Sequence, residues 1–158
     1  MNALPAPGRP WRRPMMLADL DAVAAIEAGV YAFPWSRANF ADALSAGNLA
    51  EVLEAEALVG YFIALAGVDE MHLLNITIAP ARQGGGCGTL LLDAVAAHAR
   101  ARRLSRLWLE VRVSNERAQA LYRRRGFTAV GRRRGYYPAA LGREDAVLMS
   151  LDLPPGAP

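Results

Sequence analysis

Apolar residues recur along this chain with two periods, near 3.6 and 2, and the switches between them mark the elements. "MMLADLDAVAAIEAGV" opens as a short strand and becomes a helix near Asp19, with Leu20, Val23, Ile26 and Val30 on one face. "FPWSRANFADALSAG" is a loop carrying Pro34, then a helix capped by Ser36 and ended by Gly47. "LAEVLEAEALVGYFIALAG" reads as a hairpin of two strands. A third strand runs from about Met71 to Ala79, where Pro80 stops it. The next helix spans about Gly88 to Arg102 and buries Leu92, Val95, Ala96 and Ala99. In "RLWLEVRVSN" the alternation puts Leu107, Leu109 and Val111 on one face of a strand and Trp108, Glu110 and Arg112 on the other. "NERAQALYRRRGF" is a helix opened by Ser114 or Asn115 and closed by Gly126, its inner face carrying Ala118, Leu121 and Tyr122. "FTAVGRRRGYYP" and "EDAVLMSLDL" supply two strands around a loop.

The order is strand, two helices, three strands, helix, strand, helix, two strands. That predicts a mixed α/β fold with a central sheet flanked by helices. At 158 residues and 53% hydrophobic, the chain holds enough for one core and too much apolar surface for disorder. No repeat or interdomain linker is visible. The expected layout is a loose leader over 1–14, a single domain over 15–153 and a frayed tail over 154–158. The proline-rich leader lacks the apolar stretch of a secretory signal, and no run reaches the length of a membrane span. A soluble, cytoplasmic protein is expected.

Composition excludes several chemistries. Cys87 is the single cysteine, so there is no internal disulfide framework. All 18 basic residues are arginine; without lysine there is no Walker A loop, Schiff base or kinase-type phosphate lysine. His72 and His98 are the only histidines and lack metal-binding spacing, so no metal is expected. Charge is uneven: residues 1–70 carry 4 Arg against 9 Asp or Glu, and residues 71–158 carry 14 against 6. An anionic ligand on the basic side and a cationic one on the acidic side would suit this split, as would a merely solvated arginine-rich surface.

"IAPARQGGGCGTLLL" places a glycine cluster between a strand and a helix. The first N–H groups of a helix have no internal partner and its dipole adds positive potential, so the turn can hold a phosphate or pyrophosphate. The spacing is not that of the dinucleotide turn, and a tight connection without a ligand is the alternative.

Gln83-Gly84-Gly85-Gly86-Cys87-Gly88 is similar to the Q/R-x-x-G-x-G/A loop of the GNAT acetyltransferases. "NERAQALY" at 115–122, followed by Gly126-Phe127, resembles that family's N-x-x-A-x-x-L-Y…G-F segment. "AFPWS", "LLNITIAP", "LWLEVRVSN", "GYYP" and "GREDAVLM" narrow the resemblance to its ribosomal-protein alanine N-acetyltransferases, from about Met16 to Leu151. The resemblance implies the GNAT acyl-coenzyme A N-acyltransferase fold, acetyl-coenzyme A as co-substrate and the N-terminal alanine of small-subunit ribosomal protein eighteen as acceptor. Ile76, Thr77 and Ile78 would lend backbone groups to the acetyl and pantetheine arm. Gln83, Gly84, Gly85, Gly86, Cys87, Gly88 and Thr89 would cradle the pyrophosphate, with Asn115 a further polar contact. Glu110 corresponds to the general base and Tyr122 to the general acid. Two positions depart from the family: Gly84 stands for the usual arginine, and Cys87, read as a small filler rather than a nucleophile, for a larger apolar residue.

The residues themselves leave alternatives. Glu110 could be an exposed strand glutamate or a partner of Arg112, and Tyr122 a core aromatic. Phe33, Trp35, Tyr136 and Tyr137 are the candidates to wall a slot for an extended peptide N-terminus, with Glu27, Glu144 or Asp145 nearby for a basic peptide; packing of those loops on the core competes. His98 is expected in solvent and His72 at a strand edge. Arg123–Arg125 and Arg132–Arg134 are expected at the surface or against coenzyme phosphates. Two other functions stay open: acetylation of a small amine such as a polyamine or aminoglycoside, and an arginine-rich RNA- or ribosome-binding module. Against the latter, the aromatics cluster in "FPWS" and "GYYP" rather than among the arginines, so direct nucleic-acid binding is not expected.

Overall fold

The computed structural model describes residues 9–155. Among them the strands are β1 (Trp11–Pro14), β2 (Leu49–Glu54), β3 (Leu58–Ala66), β4 (Glu70–Ile78), β5 (Arg106–Arg112), β6 (Thr128–Ala139) and β7 (Gly142–Asp152). The helices are α1 (Leu20–Val30), α2 (Arg37–Ser45), α3 (Cys87–Ala101) and α4 (Glu116–Arg124), with 3-10 turns at Leu17–Asp19 and Pro80–Arg82. The predicted succession of elements is the one observed. The strands are ordered β1-β2-β3-β4-β5-β7-β6, a mixed sheet in which β4 and β5 are parallel. Contacts cluster into two units: 9–63 with 75–91, and 64–74 with 92–155.

In the first unit, Leu20, Val23, Phe40, Val52, Leu53, Tyr61, Phe62 and Ile63 form the core. Two expectations are corrected here. The stripe of α1 runs through Leu20, Val23 and Glu27 rather than Ile26, because Glu27 finds enough internal donors to be buried. The first strand lies earlier than Met15: Trp11–Pro14, read as part of the leader, pairs antiparallel with β2 from Trp11↔Glu54 to Pro14↔Glu51. An edge strand tolerates Pro14, and Arg13 ties it down through Glu54 at 2.6 Å and both oxygens of Asp19 at 2.8 Å. Residues 1–8 of that leader and 156–158 of the tail lie outside the described residues. Ser36 caps α2 as predicted, its hydroxyl accepting from Asn39 N–H at 3.1 Å. At Gly60 β3 leaves no room for a side chain beside β4: a Cβ there would lie 2.5 Å from the Thr77 carbonyl oxygen.

In the second unit the alternation of β5 is realised. Leu107, Leu109 and Val111 are buried, and Trp108, Glu110 and Arg112 stand half-buried on the opposite face. β5 pairs with β7 from Arg106↔Asp152 to Arg112↔Ala146, and β7 pairs in turn with β6. The β6–β7 ladder shifts register between Arg133 and Tyr137. Asn115 caps α4, accepting from Ala118 N–H at 3.1 Å. The inner face of α4 is turned from the predicted one. Gln119 and Tyr122 are buried while Ala118 and Leu121 are half-buried, because the Gln119 amide donates to the Arg112 and Val113 carbonyls at 3.1 and 3.0 Å.

Candidate active site

The glycine loop follows from the residues before it. Pro80 ends β4 and starts a 3-10 turn, after which Gly84 and Gly86 take φ of +81° and +87°. A side chain at either position would be strained, which is why glycine suits both. A Cβ on Gly86 would meet nothing within 4 Å, so the loop has open space beside it. Leu90 N–H bonds the Gly86 carbonyl at 3.1 Å. The N–H groups of Cys87, Gly88 and Thr89 belong to the first turn of α3, which has no acceptors within the helix. Cys87 is buried, in keeping with a filler. Donors, dipole and space fit a pyrophosphate.

The end of β4 is braced by side chains. The Gln83 amide donates to the Ile78 carbonyl at 3.0 Å, and the Tyr31 hydroxyl to the Ile76 carbonyl at 3.2 Å. Thr77 is buried, its hydroxyl donating to Asn75 Oδ1 at 2.8 Å and lying 2.9 Å from the Tyr31 hydroxyl. Burial, partly offset by Thr77, raises the Tyr31 phenol.

Glu27 is 2% exposed and accepts from the Tyr61 hydroxyl at 2.7 Å, Asn75 Nδ2 at 3.0 Å and the Trp35 backbone N–H at 3.0 Å. It therefore anchors the Phe33–Trp35 loop rather than offering charge to a ligand. Trp35 is half-buried against Phe40, with ring centroids 5.2 Å apart, whereas Phe33 is exposed. The other two acidic candidates are also committed. Glu144 accepts from Arg112 at 3.0 Å and Ser114 N–H at 2.8 Å; Asp145 accepts from Arg132 at 2.8 Å and Gly135 N–H at 2.9 Å. Those bonds hold both carboxyls below their ordinary values.

Glu110 is the centre of a cluster that the sequence did not reveal. Its Oε2 lies 3.2 Å from His72 Nε2 and accepts from the Tyr136 hydroxyl at 3.3 Å; Arg133 Nε is 3.9 Å from Oε1. Arg112, the partner proposed from sequence, pairs with Glu144 instead. His72 is not at a strand edge: β4 is interior, and the ring stacks on Trp108 at 3.6 Å. Burial acts to raise the Glu110 carboxyl, but the hydrogen bond and charge of His72, then Arg133 and Tyr136, hold it below its ordinary value. Burial and the neighbouring Glu110 raise the Tyr136 phenol. Tyr136 and Tyr137 meet edge to face at 4.9 Å, and Arg112 sits over the Tyr137 ring at 4.5 Å. Tyr122 is 7% exposed, with its ring 5.7 Å from Phe127. Of the two arginine triplets, Arg125 grips Asp93 at 2.6 Å and Arg132 grips Asp145. Among the described residues no cluster of His, Cys, Asp or Glu could hold a metal, and no helix is long and apolar enough to cross a membrane.

The family model for the acetyltransferase (GNAT) family matches residues 18–127. The chain belongs to the GNAT acetyltransferase family. As a GNAT enzyme it is an acetyl-coenzyme A-dependent N-acetyltransferase. The [ribosomal protein bS18]-alanine N-acetyltransferase of Escherichia coli (strain K12) is 38% identical over 136 residues, covering 85% of this chain and 92% of the relative. The enzyme of the same name from Haemophilus influenzae is 36% identical over 137 residues, covering 85% and 93%. The crystal structure of the ribosomal-protein-S18-alanine N-acetyltransferase from Escherichia coli aligns with a TM-score of 0.85 at 37% identity, covering 90% of this chain and 93% of that one.

Proposed function

We propose that this GNAT enzyme transfers acetyl to the α-amine of an N-terminal alanine, its substrate being ribosomal protein bS18 in the cytoplasm. The observation that carries the reading is the 38% identity, over nearly the whole length, to the Escherichia coli enzyme named for that reaction.

The chemistry asks for a neutral amine, an acceptor for its proton and a donor for the departing thiolate. A peptide α-amine has a pKa of roughly 7.7–8.0, so about a tenth is neutral at pH 7, against on the order of one in 2,500 for a lysine at roughly 10.4. A single carboxylate, acting directly or through one water, is then enough. In this reading the amine nitrogen attacks the thioester carbonyl, the C–N bond forms and the C–S bond breaks. Glu110 takes the proton lost by nitrogen; its lowered pKa keeps it ionised at neutral pH. Tyr122 supplies the proton to sulfur. The Gln83–Thr89 loop binds the pyrophosphate through the open first turn of α3. Backbone groups of Ile76–Ile78 align the pantetheine arm, and Asn115 adds a polar contact. Phe33, Trp35, Tyr136 and Tyr137 recognise the peptide.

The test offers labelled acetyl-coenzyme A with an alanine-starting basic peptide, a polyamine and an aminoglycoside. Label on the peptide α-amine, with the small amines poor, is expected. Preference for a small amine would overturn the substrate. No calorimetric heat with acetyl-coenzyme A, together with steeply salt-dependent RNA binding, would overturn the reading altogether. Tyr122→Phe should lower turnover roughly 10²–10⁴-fold if Tyr122 is the acid.

A further inference from the structure

The Glu110 carboxylate is held asymmetrically. Oε2 has two partners, His72 Nε2 at 3.2 Å and the Tyr136 hydroxyl at 3.3 Å. Oε1 faces Arg133 Nε at 3.9 Å, beyond hydrogen-bond length, on a side chain 49% exposed. An ionised carboxylate only accepts, so the His72 nitrogen that faces it, Nε2, carries a proton and donates. The arrangement follows from the parallel register. His72 lies opposite Trp108, and Trp108 shares its sheet face with Glu110 two residues on. The imidazole and indole stack at 3.6 Å and 9°, which fixes the ring plane and with it the direction of Nε2.

Resting on Glu110 as the base, we propose that His72 is a positioning residue for acetyl transfer: clamped on Trp108, it holds Oε2 of Glu110 and so turns Oε1 toward the amine proton. During the step the proton moves from nitrogen to Oε1, while Oε2 keeps its bond to His72 throughout. Tyr136 is the second hold on Oε2. The other charged or titratable groups around Glu110 are Arg133 and Tyr137 on β6; Arg112 on its own strand is engaged by Glu144.

The experiment measures kcat and KM from pH 3.5 to 9 for the wild type, His72→Phe, His72→Gln, Tyr136→Phe and Glu110→Gln, with thermal unfolding of each. His72→Phe keeps a flat ring on Trp108 and removes the donor. It should lower kcat about tenfold, the scale of one hydrogen bond to a charged group, with KM for both substrates nearly unchanged. The acid limb of its kcat profile should move to higher pH, since a donor and a charge that hold the Glu110 carboxyl low are gone. His72→Gln, whose amide can still donate, should recover most of kcat and move the limb only part-way. Wild-type kcat with an unmoved limb in His72→Phe overturns the proposal. So does a loss of kcat with an unmoved limb that His72→Gln fails to restore, because that is mere packing. If His72→Phe does not fold, unmoved limbs in both His72→Gln and Tyr136→Phe overturn it. Wild-type turnover in Glu110→Gln sinks the base assignment itself, whereas an inactive Glu110→Gln beside a silent His72→Phe sinks only the role of His72.

Discussion

Glu27 in the first unit and Glu110 in the second are both carboxylates largely removed from water, on a helix and a strand respectively. Glu27 spends both oxygens on the protein: Oε1 on Tyr61 and Asn75, Oε2 on the Trp35 N–H. Glu110 spends one and leaves the other beside an exposed guanidinium. Burial alone therefore does not mark a base. A carboxylate saturated by neutral donors is part of the scaffold, and one with an oxygen to spare can take up a proton.

The sharpest way to break that contrast is Glu110→Gln, which should cut kcat roughly 10²–10⁴-fold while the thermal midpoint stays close to wild type. Glu27→Ala should do the reverse. Leaving the Tyr61 and Asn75 donors unmatched should cost about 3 kcal/mol in a denaturant titration, with what activity remains limited by KM through the loosened Phe33–Trp35 loop. Gly60→Ala probes the β3–β4 approach without touching either carboxylate. Its Cβ would press on the Thr77 carbonyl and on Ile78 Cδ1 at 2.7 Å, costing about 1–3 kcal/mol by the same titration. Asp19→Asn should be smallest, about 1 kcal/mol or less at neutral pH. The Arg13 hydrogen bond holds the Asp19 carboxyl below its ordinary value. A depressed folded-state pKa stabilises above the unfolded value, near 3.9, and that stabilisation is lost as pH falls through the folded one. Wild type and variant should thus differ at pH 7 and converge at low pH; a constant gap would exclude the linkage.

What could be read in the sequence was local. The period of two in "LWLEVRV" separates Leu107, Leu109 and Val111 from Glu110, and Ser36 and Asn115 cap the helices they precede. The periods alone give the succession of elements and a mixed α/β sheet, whereas the glycine loop and the α4 segment carry the family and with it the GNAT fold. The partners of Glu110 were not legible, because His72 and Tyr136 lie 38 and 26 positions away and meet it only through the pairing of β4, β5, β7 and β6. The burial of Glu27 and Gln119 is not legible for the same reason: a polar residue is buried when distant donors or acceptors reach it, and helical spacing says nothing of those. Trp11–Pro14 is hidden by Pro14 within it and Pro10 before it, which disfavour an interior strand but not an edge.

The sealed position of Cys87 has a practical side. Its sulfur is the chain's only thiol and the residue is 6% exposed. A colorimetric disulfide reagent added to folded enzyme should thus register released coenzyme alone, with almost no blank from the catalyst. On denaturation one further equivalent per chain should appear, so a single reagent counts both turnovers and unfolded molecules.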